Sequence, residues 1–83
     1  MTEQIEKQLQ QLDEEIGRSP ARSARYVPFR TKSGGPARVC VKRASLYGFL
    51  AALDDGRVVH SQFDKTPSGA YRKLAADLSA RGI

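Results

Sequence analysis

The chain has little of what catalysis and covalent cross-linking require. Its 83 residues include no tryptophan, a single cysteine, Cys40, and a single histidine, His60. One cysteine excludes an internal disulfide, and no zinc-ligand spacing, phosphate-binding loop or nucleophile motif is present. We therefore predict no catalytic residue, no metal site and no cofactor. A Cys40–His60 pair is the alternative, because both residues lie on predicted strands that could be neighbours.

Long apolar runs are also missing. No stretch approaches the roughly 20 apolar residues that a membrane-spanning helix needs. The first residues, Thr2, Glu3 and Gln4, do not begin the apolar segment of a secretory signal. We expect a soluble, cytoplasmic protein with no membrane contact, and the length corresponds to one small domain.

Acidic residues are missing from the middle of the chain. Residues 18–43 contain eight basic residues and no acidic one, whereas residues 1–17 contain five acidic residues and one lysine, within a formal net charge of +5. Cations without counter-ions repel one another, and a polyanion relieves that repulsion. We predict a nucleic-acid partner, or else an acidic protein surface. The predicted nucleic-acid-binding residues are Arg18, Arg22, Arg25, Arg30, Lys32, Arg38, Lys42 and Arg43, together with Arg57 from a later turn.

Two aromatic residues, Tyr26 and Phe29, lie among these arginines. Exposed rings between cations can stack on unpaired bases. Their alternative role is to anchor the sheet in the core, and the basic segment could then serve only to keep the protein in solution. The excess of arginine over lysine favours bidentate contacts with phosphates and base edges.

The first segment has the pattern of an amphipathic helix over Thr2 to Ile16. Its apolar residues follow the spacing of a two-heptad coiled-coil seam. A helix of this length is barely stable alone, so the seam needs a partner. We predict that the helix self-associates to form a homodimer. The alternative is that it docks on the sheet of its own chain. The predicted oligomerisation residues are Ile5, Leu9, Leu12 and Ile16.

The rest of the sequence predicts a basic linker over 18–25 and a small sheet-plus-helix domain over 26–83, after the helix of residues 1–17. The strands are expected at Tyr26–Arg30, Arg38–Arg43, Leu46–Leu53 and Val58–Phe63. Pro28 confines the first of them to a sheet edge. A helix over Leu46–Leu53 is the rival interpretation.

The C-terminal segment carries clear helix boundaries. Thr66 is the expected N-cap, Pro67 stands at the first helical position, and Gly82 provides a left-handed stop. The apolar stripe that should cover a sheet face consists of Ala70, Tyr71, Leu74, Ala75 and Leu78. The fold class is therefore α+β: an N-terminal helix, a three- to four-stranded antiparallel sheet, and a C-terminal helix packed on one sheet face.

The run from Val58 to Tyr71, with its Thr66-Pro67-Ser68-Gly69-Ala70 step, resembles the last strand and helix start of AP2-type and phage-integrase arm-binding domains. That resemblance implies a sheet that enters the DNA major groove with one helix behind it. If the sheet face reads DNA in this way, the first contacts to test are Arg38, Lys42 and Arg57.

Two functional hypotheses follow. The first is a non-enzymatic nucleic-acid-binding accessory protein that uses the arginine-rich linker and a basic sheet face. The second is a small phage or mobile-element inhibitor, anti-CRISPR-like or anti-polymerase-like, that binds a larger host protein complex. Short length and a compact unit fit both hypotheses, and a basic surface would seat on an acidic patch of such a target.

Overall fold

A computed structural model describes residues 2–18, 24–54 and 58–83. It contains helix α1 (Thr2–Glu15), strands β1 (Ala24–Arg30), β2 (Pro36–Ser45), β3 (Gly48–Asp54) and β4 (Val59–Asp64), and helix α2 (Pro67–Ala80). All neighbouring strands are antiparallel, in the order β1-β2-β3-β4. The α+β fold class predicted from the sequence is confirmed. Neither helix in the described part of the chain is long and apolar enough to cross a membrane.

One face of the sheet is buried and the other is not. Side chains alternate along a strand, so Val39 and Val41 of β2 enter the core while Cys40 between them points the other way. The predicted alternation of Arg38 to Arg43 is therefore confirmed. Strand β1 is an edge strand, as Pro28 indicated.

Helix α2 lies across the buried face and its boundaries agree with the prediction. The Thr66 hydroxyl accepts a hydrogen bond from the Gly69 N–H at 3.0 Å. At the other end Gly82 has φ +80°, and the Ile83 N–H donates to the Leu78 carbonyl at 2.9 Å. That pairing is the long hydrogen bond of a Schellman motif. The residues Ala70, Tyr71, Leu74 and Leu78 are buried, and Ala75 is half-buried.

Helix α1 packs beside α2 on the same sheet face. Leu9, Leu12 and Ile16 are buried in one core with the sheet and α2, and Ile5 is half-buried at its border. The chain thus shows the intramolecular docking that the sequence offered as the alternative. Self-association through this seam would require α1 to leave the core.

Polar contacts hold α1 against α2. The Asp13 carboxylate accepts hydrogen bonds from the Ser68 N–H at 3.0 Å and the Ser68 hydroxyl at 2.7 Å, in the first turn of α2. The Arg72 guanidinium donates to both Glu6 carboxylate oxygens, at 2.9 and 2.6 Å. The acidic residues of α1 therefore fix the helix in place.

The predicted strand boundaries differ from the observed ones in several places. Strand β1 begins at Ala24, so Arg25 belongs to the sheet rather than to the linker. Leu46 and Tyr47, predicted in the third strand, form the two-residue turn between β2 and β3, because Ser45 pairs with Gly48. The rival helix over Leu46–Leu53 is excluded by the pairing of β3 with both neighbours.

Candidate nucleic-acid interface

The sheet face that no described helix covers is called the open face here. Its residues alternate with the buried ones, and the register aligns them into rows across the four strands. The middle row is Tyr26, Cys40, Ala52 and Ser61. The row beside it is Ala24, Lys42, Leu50 and Phe63. On the other side of the middle row lie Pro28, Arg38, Asp54 and Val59, and Arg30 follows beyond Pro28.

Three of the predicted binding residues, Arg30, Arg38 and Lys42, lie on the open face along β1 and β2. The Arg38 guanidinium carbon is 5.4 Å from the centroid of the Tyr26 ring, a cation–π distance. Among the described residues, none of these three cations forms an ion pair. Their charge therefore remains available to an anion.

Other predicted cations are used inside the fold. Arg25 lies opposite Val41 and its Nε donates to a Glu15 carboxylate oxygen at 3.3 Å. The Lys32 Nζ donates to the Ser79 carbonyl at 3.1 Å, near the end of α2. Both residues thus stabilise the chain's own structure, which sequence reading could not distinguish from a role in binding.

Of these cations, Arg43 makes the most contacts within the fold. It pairs with Phe49 on the buried side of the sheet, and its guanidinium carbon lies 4.5 Å from the Phe49 ring centroid. Its Nη2 also donates to the Ile16 and Gly17 carbonyls at 3.5 and 3.4 Å. A cation there suits the negative end of the α1 dipole. Arg43 is therefore not placed with the open-face cations.

Three predicted residues lie away from these groups. Arg18 is exposed just after α1. Arg22 and Arg57 fall outside the described residues, so the later turn that was expected to hold Arg57 is outside them as well. The pairing of Asp54 with Val59 fits a hairpin connection between β3 and β4.

The two aromatics that the sequence placed among arginines have different positions. Phe29 lies on the helix side and packs against the core. Tyr26 lies on the open face and is 64% exposed. Core packing and base stacking were alternatives for the pair, and the structure assigns core packing only to Phe29.

A second exposed ring, Phe63, was not predicted as a site residue. It is 46% exposed on the open face of β4. Gly48 makes its position possible, since a Cβ added to Gly48 would collide with the Phe63 ring and lie 2.8 Å from the Asp64 carbonyl oxygen. The sequence signal that could have found it is the alternation of Val59, Ser61 and Phe63 along a terminal strand.

The floor between these rings is low. Cys40, Ala52 and Ser61 occupy the middle row with small side chains, and larger residues lie in the rows on either side. Neighbouring strands are about 4.8 Å apart, so Tyr26 and Phe63 are separated across the sheet by about 14 Å. The open face is thus a shallow trough with cations on one half and a ring on each outer strand.

The turn between β2 and β3 carries two large exposed side chains, Leu46 at 82% and Tyr47 at 83% exposed. Two-residue hairpin turns usually need positive φ and therefore glycine or asparagine. Here no described non-glycine residue has positive φ, and the register shifts between Arg43 and Ser45 instead. This turn has no composition signal, which is why the sequence placed both residues in a strand.

The Cys40–His60 pair considered from the sequence is not formed. Cys40 pairs with Ala52 on the open face, whereas His60 pairs with Leu53, whose side chain is buried on the helix side. The two side chains therefore project from opposite faces of the sheet.

Most described acidic side chains are on the helix side. The hydrogen bond from Arg72 lowers the pKa of Glu6, and the backbone N–H of Lys65 lowers the pKa of Asp64 with help from Lys73 at 3.5 Å. Asp54 is the one acidic residue in the rows of the open face as described. Positive charge without a carboxylate partner is therefore concentrated on one half of that face.

An apolar groove lies on the helix side, where the first turns of α1 diverge from β1 and α2. It has a volume of about 520 Å³ and is lined mainly by Ile5, Leu9, Phe29, Tyr71 and Ala75. Burial raises the pKa of the Tyr71 hydroxyl, which donates to the Pro28 carbonyl at 3.1 Å. The groove explains why Ile5 is less buried than the rest of its seam.

Comparison of the chain with family models, curated proteins and solved structures found no match. The resemblance to AP2-type and integrase arm-binding domains therefore stays an expectation from the sequence, and the geometry of the open face is what any functional proposal must rest on.

Proposed function

We propose that this chain is a nucleic-acid-binding protein and that the open face is its contact surface. The observation that carries the proposal is that Arg30, Arg38 and Lys42 lie on the face that the described helices leave uncovered, with Arg38 and Lys42 diagonal to the exposed Tyr26. Cations at this density attract a polyanion, because each neutralised phosphate releases condensed counter-ions.

The remaining predicted contacts extend this surface rather than define it. Arg18 is exposed at the end of α1, and the sequence adds Arg22 in the connecting segment. Arg25, Lys32 and Arg43 already have partners within the chain, so they contribute less to binding than their number in the sequence indicates.

A matched pair of charge variants tests the proposal. The face variant changes Arg30, Arg38 and Lys42 to Gln, and the control variant changes Lys65, Lys73 and Arg81 to Gln. Both remove the same formal charge, but the control residues lie outside the rows of the open face. Binding to duplex DNA, single-stranded DNA and RNA is measured by fluorescence anisotropy over a range of salt concentrations.

We expect the wild type to bind with an affinity that falls steeply with salt. Each phosphate contact contributes a slope of roughly −0.7 to −0.9 in log affinity against log salt, so the face variant should flatten the slope by about two to three. The control variant should keep most of it. Equal effects of the two variants would place binding elsewhere, and no binding to any probe at about 50 mM salt would refute the proposal.

The turn between β2 and β3 favours a second candidate function, binding to a protein partner as a small inhibitor. Leu46 and Tyr47 are the most exposed large apolar side chains described, and a tyrosine anchor is typical of interface hot spots. Under this candidate, a partner captured from a nuclease-treated lysate should be lost when both residues become Ser. The face variant would leave that capture intact.

A further inference from the structure

We infer that the open face takes single-stranded nucleic acid, with unpaired bases stacked on Tyr26 and Phe63 and with Arg38 and Lys42 at the phosphates. This inference rests on the proposed function and specifies its substrate class. It depends on the placement of two exposed rings and the small side chains between them, whereas the proposed function depends mainly on the cations of the open face.

The rings are available for stacking. Tyr26 is 64% exposed and Phe63 is 46% exposed. In so small a chain, aromatic rings that are left exposed do not contribute to the core. The Arg38 guanidinium lies over one face of the Tyr26 ring, 5.4 Å from its centroid, so a base would stack on the other face of the ring or on the guanidinium plane itself. Ring stacking with a neighbouring cation is the arrangement that holds single strands without reading their sequence.

The surface between the rings accommodates a strand. Cys40, Ala52 and Ser61 keep the middle row low, and Lys42 and Leu50 in the adjoining row form one side of the trough. A chain of nucleotides crossing from β1 to β4 would therefore start at Tyr26 in the middle row, pass over the small side chains, and reach Phe63 in the adjoining row of Lys42 and Leu50. The unpaired cations lie along the first half of this path.

A duplex fits this face less well. The DNA major groove is about 12 Å wide and admits a helix or a two-stranded ribbon, and the four strands of this sheet are about 14 Å across before side chains are added. Bases in a duplex are stacked on one another, so their faces are closed to Tyr26 and Phe63. The rings would then have no partner.

Cys40 offers a direct reporter of occupancy. It is the chain's single cysteine, it is half-buried, and it lies in the middle row of the trough. A strand bound across the face should slow alkylation of the Cys40 thiol by iodoacetamide. A ligand bound only to Arg18 or to the helix side would leave the rate unchanged.

The test compares ring variants on two probes with the same number of phosphates: a single strand of about 12 nucleotides, within the range of known single-strand site sizes, and a hairpin duplex. The variants are Tyr26→Leu and Phe63→Leu. Tyr26→Phe keeps the ring, and Tyr47→Leu removes an exposed tyrosine that is not on the face. Each protein is first checked for an unchanged thermal unfolding midpoint and unchanged mass by light scattering.

We expect the wild type to prefer the single strand and to protect Cys40 when it binds. Each Leu variant should weaken single-strand binding by roughly 5-fold to 100-fold, in line with the contribution of one stacked base, and should leave duplex binding unchanged. Tyr26→Phe and Tyr47→Leu should bind like the wild type.

Three outcomes would overturn the inference. In the first outcome, both probes bind equally well, the Leu variants have no effect, and the face variant still abolishes binding. The open face would then contact phosphates without stacking on bases. Preference for the duplex would favour the groove-binding mode implied by the AP2-type resemblance. A change of mass in the Leu variants would make the open face an interface between copies of the chain. If the wild type binds neither probe, the proposed function itself is refuted.

Discussion

The two faces of the sheet differ in whether their cations have partners within the chain. On the helix side, Arg25 donates to Glu15 and Arg43 donates to the Ile16 and Gly17 carbonyls just after α1. On the open face, Arg30, Arg38 and Lys42 have no ion pair among the described residues. The strands that carry the two groups are the same, and residues that adjoin in sequence, such as Lys42 and Arg43, separate to different faces.

This difference shows what the acidic N-terminal helix does for the charge distribution. Its carboxylates pair with cations on the helix side, through Glu6 with Arg72 and Glu15 with Arg25. Arg30, Arg38 and Lys42 lie on the face that α1 does not reach, and its carboxylates do not pair with them. A basic stretch in the sequence becomes two groups, one structural and one exposed.

The largest expected effect compares one buried leucine with one on the open face. Leu74 is fully buried between α2 and the sheet, whereas Leu50 is half-buried in the trough. We expect Leu74→Ala to lower the free energy of unfolding by about 2 to 5 kcal/mol. Leu50→Ala should lower it by about 1 kcal/mol, because less apolar area leaves water there. Urea denaturation of both variants measures the difference, and similar losses would mean that the helix side is not the core.

A second prediction concerns α1 and separates docking from self-association. Leu9 is buried in the core but also borders the apolar groove, where neighbours can relax. We expect Leu9→Ala to lower the free energy of unfolding by about 2 to 3 kcal/mol, toward the lower end for such changes. The unfolding midpoint should not depend on protein concentration in either protein.

Concentration dependence is the informative control, because only a protein that unfolds from an oligomer gains stability with concentration. If the unfolding midpoint rises with protein concentration in the wild type and not in Leu9→Ala, the apolar seam of α1 is an oligomerisation surface after all. The mass measured by light scattering should agree with whichever result is found.

The smallest effect is expected from pH. The Arg72 hydrogen bond lowers the pKa of Glu6 below its ordinary value of 4.5, so the folded state favours the carboxylate. The stability from this group is present above its unfolded pKa and is lost as pH falls through the folded pKa. The difference in unfolding free energy between wild type and Glu6→Gln should therefore be largest near neutrality and should vanish in acid. A constant difference from pH 7 to acid would show that the ion pair is not its source.

Sequence periodicity predicted most of the fold because burial enforces it. The Thr66, Pro67 and Gly82 signals gave the bounds of α2, and Val39 and Val41 gave the buried face of β2. The turn at Leu46 and Tyr47 could not be predicted, because a register shift replaces the usual glycine there. Docking of α1 depended on distant partners such as Ser68, which no local pattern reveals.

The candidate site was predicted in composition but not in arrangement. Arg30, Arg38 and Lys42 were expected to bind, and the register places them on the same face of the sheet. Arg43 was included with them because its neighbours in sequence are basic, yet a shift of one residue turns a side chain to the other face. Phe63 was missed because the room for its ring comes from Gly48 of the adjacent strand, which the alternation along β4 alone does not identify.

The strand order β1-β2-β3-β4 also bears on how the chain reaches this structure. Every strand pairs with its neighbour in sequence, so the sheet forms by short loop closures that lose little chain entropy. Helix α1 is different, because Asp13 contacts Ser68 and Glu6 contacts Arg72 only after most of the chain has been brought together. We expect the sheet and α2 to form the folding nucleus and α1 to dock last. Its contacts would then govern the rate of unfolding more than the rate of folding.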